Sequence, residues 1–300
     1  MNDKTAGRLL ILVAAVMWST SGLFAKAPLF ADWPLQVAGL PVRGPLLAFW
    51  RAAFASLVLL PFVRSPRWTW KLAPMVLLYA VMNYAFLAAL TLTTEANAIW
   101  LQHTAPAWIF LIGVFAFHEP VHPRDGWLLG CCLAGVGLIL CFELGGQAPL
   151  GIVLGLLGGV TYAGVVLSLR HLRDEDGAWL VFLNNLTTAV VFLPFVLHHE
   201  IWPTGKQTLA LSVFGVFQMG LPYLLFARGV RCVTGHEAAG IVLLEPILVP
   251  VWVYVAWRHV PSYQAPQWWT LAGGGLILLG LALRYIGRKS ALASENHNTA

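Results

Sequence analysis

Apolar residues run along this chain in long, nearly unbroken blocks, and polar or charged residues fall in short groups between them. A block of about 20 residues, rising 1.5 Å per residue as a helix, matches the ~30 Å hydrocarbon core of a bilayer. On this pattern spans are predicted at 8–28, 46–63, 72–93, 97–117, 125–143, 150–169, 178–197, 207–227, 237–257 and 267–286. The blocks lack the strict alternation over about ten residues that marks a barrel strand. Lipid offers the backbone no water, so helices are the remaining solution. The predicted fold class is an all-α integral membrane protein with ten transmembrane helices.

Composition sharpens this picture. Hydrophobic residues make up 59% of 300 positions and charged residues 10%, with a mean hydropathy of +0.74. A soluble domain carries roughly 45–50% apolar and 25% charged residues, and ten spans leave no room for one. The net charge of +5 is a matter of topology and gives no reason to expect a nucleic-acid partner. Lys4, Arg8, Arg64, Arg67, Lys71, Arg124, Arg170, Arg173, Arg228, Arg231, Arg284, Arg288 and Lys289 fall on the side of the termini, against Arg43, Lys206 and Arg258 opposite. The positive-inside rule then places both termini in the cytoplasm of a multi-pass protein of the cell inner membrane. Lys4 and Arg8 precede an apolar run to about Ala25, longer than a signal-peptide core of about 7–15 residues, so it is read as a retained first span. Trp33, Trp68, Trp70, Trp127, Trp202, Trp257, Trp268 and Trp269 fall near span ends and read as interfacial anchors. Pro28, Pro34, Pro41 and Pro45 predict a long outer loop over 28–45 without regular helix, and 287–300 reads as a disordered cytoplasmic tail. Cys131, Cys132, Cys141 and Cys232 have no metal-ligand spacing, and neither a metal nor a cofactor is expected.

The chain also repeats itself. Leu133-Ala134-Gly135-Val136-Gly137-Leu138-Ile139-Leu140 returns as Leu271-Ala272-Gly273-Gly274-Gly275-Leu276-Ile277-Leu278. Gly7, Leu10, Val16, Trp18 and Lys26 align with Gly151, Leu154, Val160, Tyr162 and Arg170 at one offset, and Glu95-Ala96 parallels Glu237-Ala238. The blocks keep their order, giving two units, 6–143 and 150–286. Each holds five spans. Five is odd, so the second unit enters the membrane from the opposite side and the repeats are inverted. Inverted repeats commonly place a substrate site at their interface and work by alternating access.

At this point a family resemblance enters. The stretch from Gly7 to Lys26, Trp50-Arg51-Ala52 opening the second span, Glu119 before a Pro-rich loop, and Leu244-Glu245-Pro246 in the ninth span together resemble the drug/metabolite transporter superfamily, in its EamA-domain type. The resemblance covers both units. It implies a ten-helix fold, a central cavity formed largely by the first, third, fourth, sixth, eighth and ninth helices, and export of amino acids or other small metabolites. Two features depart from it: the long outer loop, and Arg258-His259 where many relatives have Gly-Glu.

Ionisable side chains inside a bilayer cost roughly 2.5–3.5 kcal/mol even on the lenient insertion scale, and so are functional candidates. His103 lies three residues before Pro106 in the fourth span, and Glu245 immediately before Pro246 in the ninth. Aligning Ile99 with Ile241 makes the two pseudo-symmetric. Imidazole titrates near pH 6.5, so the pair is expected either to bind a substrate ammonium or to carry a coupling proton. The alternative is that His103 satisfies a carbonyl freed by Pro106 while Glu245 is a hydrogen-bonded group beside its own proline. Asn83, Tyr84, Gln102, Gln218 and Tyr223 are further cavity candidates, each with an alternative reading as glue between helices. Trp18 and Tyr162, repeat partners, either wall a cavity or pack as ordinary aromatics. Arg51, whose repeat partner is Asn184, is expected to pair with Asp32 or Glu95 in a structural or gating role. Glu119 is read as anchoring the connection into the fifth helix. Pro106, Pro222, Pro246 and Pro250 interrupt helices and offer hinges.

No Walker, GxSxG or HExxH motif is present in the sequence. The leading reading is a secondary active transporter, with a small-molecule substrate and the lipid bilayer as partners and a homodimer as a possible assembly. Two readings from other classes stand beside it: an intramembrane enzyme using His103 and Glu245 as acid and base, and a channel-like or sensory membrane protein.

Overall fold

The computed structural model describes residues 3–118, 123–145 and 148–286. Glu119 and the tail at 287–300 lie outside them. Among the described residues nine helices are long and apolar enough to cross a membrane, and a tenth, Trp268–Arg284, is apolar but shorter. The first span is α1 (Asp3–Trp18) followed by α2 (Ser21–Ala25). The second is α3 (Arg43–Leu59) and the third α4 (Leu72–Leu92). The fourth is split into α5 (Glu95–Gln102) and α6 (Ala105–Phe117). The fifth, sixth and seventh are α7 (Pro123–Glu143), α8 (Pro149–His171) and α9 (Gly177–His199). The eighth runs through α10 (Gly205–Val213), a π-helical stretch (Phe214–Gly220) and α11 (Leu221–Gly229). The ninth is split into α12 (Gly235–Val242) and α13 (Leu244–Trp257), and α14 (Trp268–Ile286) is the tenth.

Local chemistry sets several of these boundaries. Thr94, Asp176, Thr204 and Thr234 each accept a backbone N–H in the first turn of the helix that follows, which satisfies one of its four free donors. Proline occupies the first turn of α6, α8 and α11, where its missing N–H costs nothing. His118 and Glu200 close α6 and α9 in the left-handed conformation, with φ of 55° and 52°.

The packing follows the duplication. The main helix contacts are α4 with α8, α7 with α14, α3 with α9 and α1 with α11, together with α5 against α13. In span numbers these are 3–6, 5–10, 2–7, 1–8 and 4–9. Exchanging the halves turns 1–8 into 6–3 and leaves the other three pairs unchanged, as two inverted five-helix repeats require. The Leu-Ala-Gly echo lies in the 5–10 pair. A Cβ on Gly135 would meet the Gly273 carbonyl and, at 2.9 Å, Ile277 Cγ1, and a Cβ on Gly273 would lie 2.7 Å from the Gly135 carbonyl. The two copies of the motif therefore pack on each other through their glycines.

The long outer loop carries more order than its prolines suggest. A single 3-10 turn (Pro28–Phe30) leads to a two-stranded hairpin, β1 (Gln36–Val37) and β2 (Leu40–Pro41), turned by Ala38 and Gly39 at φ of 49° and 78°. Trp33 is not an interfacial anchor: it is 2% exposed, its ring 5.1 Å from that of Phe30. Arg43 donates to the carbonyls of Ala31 and Trp33, and Gln207 Nε2 donates to the Leu29 carbonyl and to both oxygens of Asp32. These bonds fasten the loop across the starts of α3 and α10.

Candidate functional site

Helix breaks gather the polar side chains. Spans one, four and nine change helix inside the apolar region, and span eight passes through its π-helical stretch before Pro222. At Pro106 the ring nitrogen cannot donate to the Gln102 carbonyl four residues back. Close approach at the fourth span depends on glycine, since a Cβ on Gly159 of α8 would lie 2.7 Å from the Leu101 carbonyl.

His103 caps the end of α5, and Glu245 lies in the first turn of α13. His103 Nδ1 donates to the Ile99 carbonyl at 2.9 Å, because a carbonyl can only accept. This bond fixes the ring and turns Nε2 toward Glu245, whose Oε2 is 4.0 Å away. The two side chains are only 11% and 17% exposed. The histidine thus does serve a carbonyl, but that of Ile99 and not the one freed by Pro106, and its other nitrogen remains directed at the carboxylate. The register of the halves differs from the one set by Ile99 and Ile241. Thr94 and Thr234 cap first half-helices of 8 residues each, and Pro106 and Pro246 follow their caps at the same spacing. On this register His103 corresponds to Leu243 and Glu245 to Ala105. The pair meets because spans four and nine face each other. The Trp100 indole strengthens that contact by donating to the Pro246 carbonyl at 3.0 Å.

A second group of polar side chains centres on Arg51, which is 2% exposed. Its Nη1 donates to Gln218 Oε1 at 3.1 Å and its Nη2 to Asn83 Oδ1, and its guanidinium lies 5.1 Å from the Phe214 ring centroid. Arg51 pairs with neither carboxylate expected for it. Asp32 is held by Gln207, and Glu95 shares a small cavity of about 30 Å³ with Lys26, whose Nζ donates to the Thr93 carbonyl at 2.6 Å. Gln218 Nε2 also donates to the Trp18 carbonyl at 3.1 Å, and the Trp18 ring lies 5.0 Å from Tyr223 and 5.3 Å from Phe226. Tyr223 also interacts with Tyr79, and Tyr162 packs against the cluster of Tyr79, Met82 and Val165.

Five of the nine cavity candidates therefore gather around Arg51 and Tyr79, namely Trp18, Asn83, Tyr162, Gln218 and Tyr223, while His103 and Glu245 form the separate pair between spans four and nine. Gln102 is buried beside His103, and Tyr84 turns to α9, where its ring stacks on Phe192 at 5.8 Å. Pro106, Pro222 and Pro246 each fall in the first turn after a break, whereas Pro250 lies within α13. Three further contacts involve residues that were not proposed as site candidates from the sequence. Tyr79, whose hydroxyl reaches Asn185 and Met219, sits one helical turn before Asn83, and that spacing was the signal available. Glu143 Oε1 accepts from Asn97, Trp269 and Thr270 and ties spans four, five and ten at one end. Arg8 Nε meets Glu237 Oε1 at 2.5 Å, joining spans one and nine at the other end.

The sequence matches the model of the EamA-like transporter family twice, over residues 5–141 and 149–286. The chain belongs to the EamA-like transporter family. Its relatives agree with this. It is 25% identical over 288 residues to an "Uncharacterized transporter" of Archaeoglobus fulgidus, covering 93% of this chain and 96% of that one. It is 24% identical over 223 residues to the "Uncharacterized transporter YxxF" of Bacillus subtilis, covering 70% and 68%. A solved structure titled "Crystal structure of protein" shares the fold with a TM-score of 0.64 at 19% identity, over 93% of this chain and 96% of that chain. This EamA-like transporter is thus a multi-pass integral membrane protein of the drug/metabolite transporter superfamily, and the paired family matches coincide with the two five-span halves.

Proposed function

We propose that the protein is a secondary active exporter of a small metabolite, amino acids among the candidates, in the cell inner membrane with both termini cytoplasmic. The observation that carries this reading is the His103–Glu245 pair, 4.0 Å apart between the broken fourth and ninth spans. An imidazole and a carboxylate held this close within the apolar region can exchange a proton or receive a substrate ammonium. The units 6–143 and 150–286 are the rocking bodies, and Pro106, Pro222, Pro246 and Pro250 are the hinges. The Arg8–Glu237 contact closes spans one and nine at the cytoplasmic end. A transporter of this kind returns its cargo chemically unchanged, so the acid–base pair does no covalent work.

Counterflow in proteoliposomes tests the reading. Amino acids, organic acids, organic cations and nucleosides would each be offered with and without a pH gradient. Saturable counterflow of at least one class is expected. Flux that rises linearly with concentration would support a channel instead, and chemical turnover in detergent would support an enzyme.

A further inference from the structure

We propose that Arg51 and Asn83 form the docking point for a carboxylate of the transported solute. This deepens the transport reading and rests on it for the solute's fate, while the binding step stands alone.

A buried guanidinium normally finds a carboxylate, because an uncompensated charge costs several kcal/mol to bury. Arg51 is held differently. Its two terminal nitrogens are engaged by the amide oxygens of Asn83 and Gln218, and Phe214 covers it. Neutral acceptors fix the direction of the guanidinium without cancelling its charge. Two donors of this bonded pair are left over: Arg51 Nε and Asn83 Nδ2, both buried and both without a hydrogen-bond partner. The residues are 2% and 0% exposed. Their joint demand is for an anion that accepts several hydrogen bonds.

None of the described carboxylates is bonded to Arg51. Asp32 is taken by Gln207, Glu95 lies with Lys26, and Glu143 accepts from Asn97, Trp269 and Thr270. Glu245 interacts with Arg51 through space but lies against His103. A carboxylate suits this pair of donors, since it can accept from the charged Arg51 Nε and from Asn83 Nδ2 at the same time. The solute's remainder would then lie among Trp18, Tyr79 and Tyr223, toward Glu245. The Nε and Nδ2 atoms are closed to solvent in this conformation, so the ligand reaches them as the halves part.

The test is binding by the purified full-length protein in detergent, read by tryptophan fluorescence. The probes are 2-oxobutanoate, propionamide, butylamine, inorganic phosphate and chloride. Saturable binding of 2-oxobutanoate is expected, with propionamide and butylamine at least about tenfold weaker. Asn83→Asp and Gln218→Glu each place a carboxylate against Arg51 from a different helix, and each is expected to weaken 2-oxobutanoate binding by about tenfold or more. Whichever of the two retains the wild-type melting profile is the informative variant. Unchanged carboxylate affinity in a folded variant overturns the proposal, and so does binding of phosphate or chloride in preference to 2-oxobutanoate. If 2-oxobutanoate binds as expected but no solute shows counterflow, the carboxylate site stands and the transport reading falls. If a solute without a carboxylate is carried while 2-oxobutanoate does not bind, transport stands and the Arg51 site falls.

Discussion

His103 Nε2 faces Glu245 Oε2 at 4.0 Å, across the point where the fourth and ninth spans both break. The bond from His103 Nδ1 to the Ile99 carbonyl fixes the ring, so the nitrogen turned toward the carboxylate is the one free to gain or lose a proton. Spans four and nine are linked again by the Trp100 indole on the Pro246 carbonyl. A change of charge at the pair is thereby placed on the contact between the two halves.

The packing of the two Leu-Ala-Gly motifs gives a graded stability test. Gly135→Ala drives a methyl group into the Gly273 backbone and Ile277, a clash expected to cost about 1–3 kcal/mol. Gly137→Ala, on the same helix with nothing within 4 Å, is expected to be neutral or to stabilise by up to about 1 kcal/mol through helix propensity. Thermal unfolding in detergent separates the two. Equal effects would contradict the observed face of α7.

Asp176 predicts a pH-dependent contribution at the end of span seven. Partial burial pushes its carboxyl up, but backbone N–H groups of Arg64, Ser65, Ala178 and Trp179 outweigh this and hold it below its ordinary value of 3.8. A depressed folded-state value means the contribution is full above the unfolded value and fades as pH falls through the folded one. Asp176→Ala is therefore expected to lower stability at neutral pH by about 0.5–2 kcal/mol, the usual loss for an N-cap. The gap between mutant and wild type is expected to shrink below pH 3.8. Melting curves across pH check both parts.

The outer loop depends on Gln207. Its Nε2 reaches the Leu29 carbonyl and both Asp32 oxygens. Gln207→Ala is expected to free the loop, raising the cleavage rate between residues 28 and 42 several-fold in limited proteolysis while the spans stay intact. Thr208→Ala, one position along, removes only a bond to the Thr204 carbonyl and is the control.

Much of this architecture was legible from the sequence because membrane insertion imposes one dominant rule. Apolar length marks the spans, and charge asymmetry keeps their count in step. The duplicated motif marks an interface, since its two copies pack on each other through their glycines. Register was harder. Matching Ile99 to Ile241 shifts the halves, whereas the threonine caps and prolines that end and restart the helices set the actual correspondence. The hairpin at Gln36–Val37 and Leu40–Pro41 is too short for any periodicity to mark it. The partners of Arg51 could not be read at all: Asn83 and Gln218 come from distant spans, and charge logic alone favours carboxylates over amides.

The most direct test of the central claim is counterflow by His103→Ala and Glu245→Gln, measured in proteoliposomes from pH 5 to 8 with a solute that the wild type carries. The pair is expected to be indispensable. Each variant should lose about tenfold or more of the wild-type rate and flatten its pH dependence, while melting like the wild type. Wild-type rates with an unchanged pH profile in both variants would contradict the account.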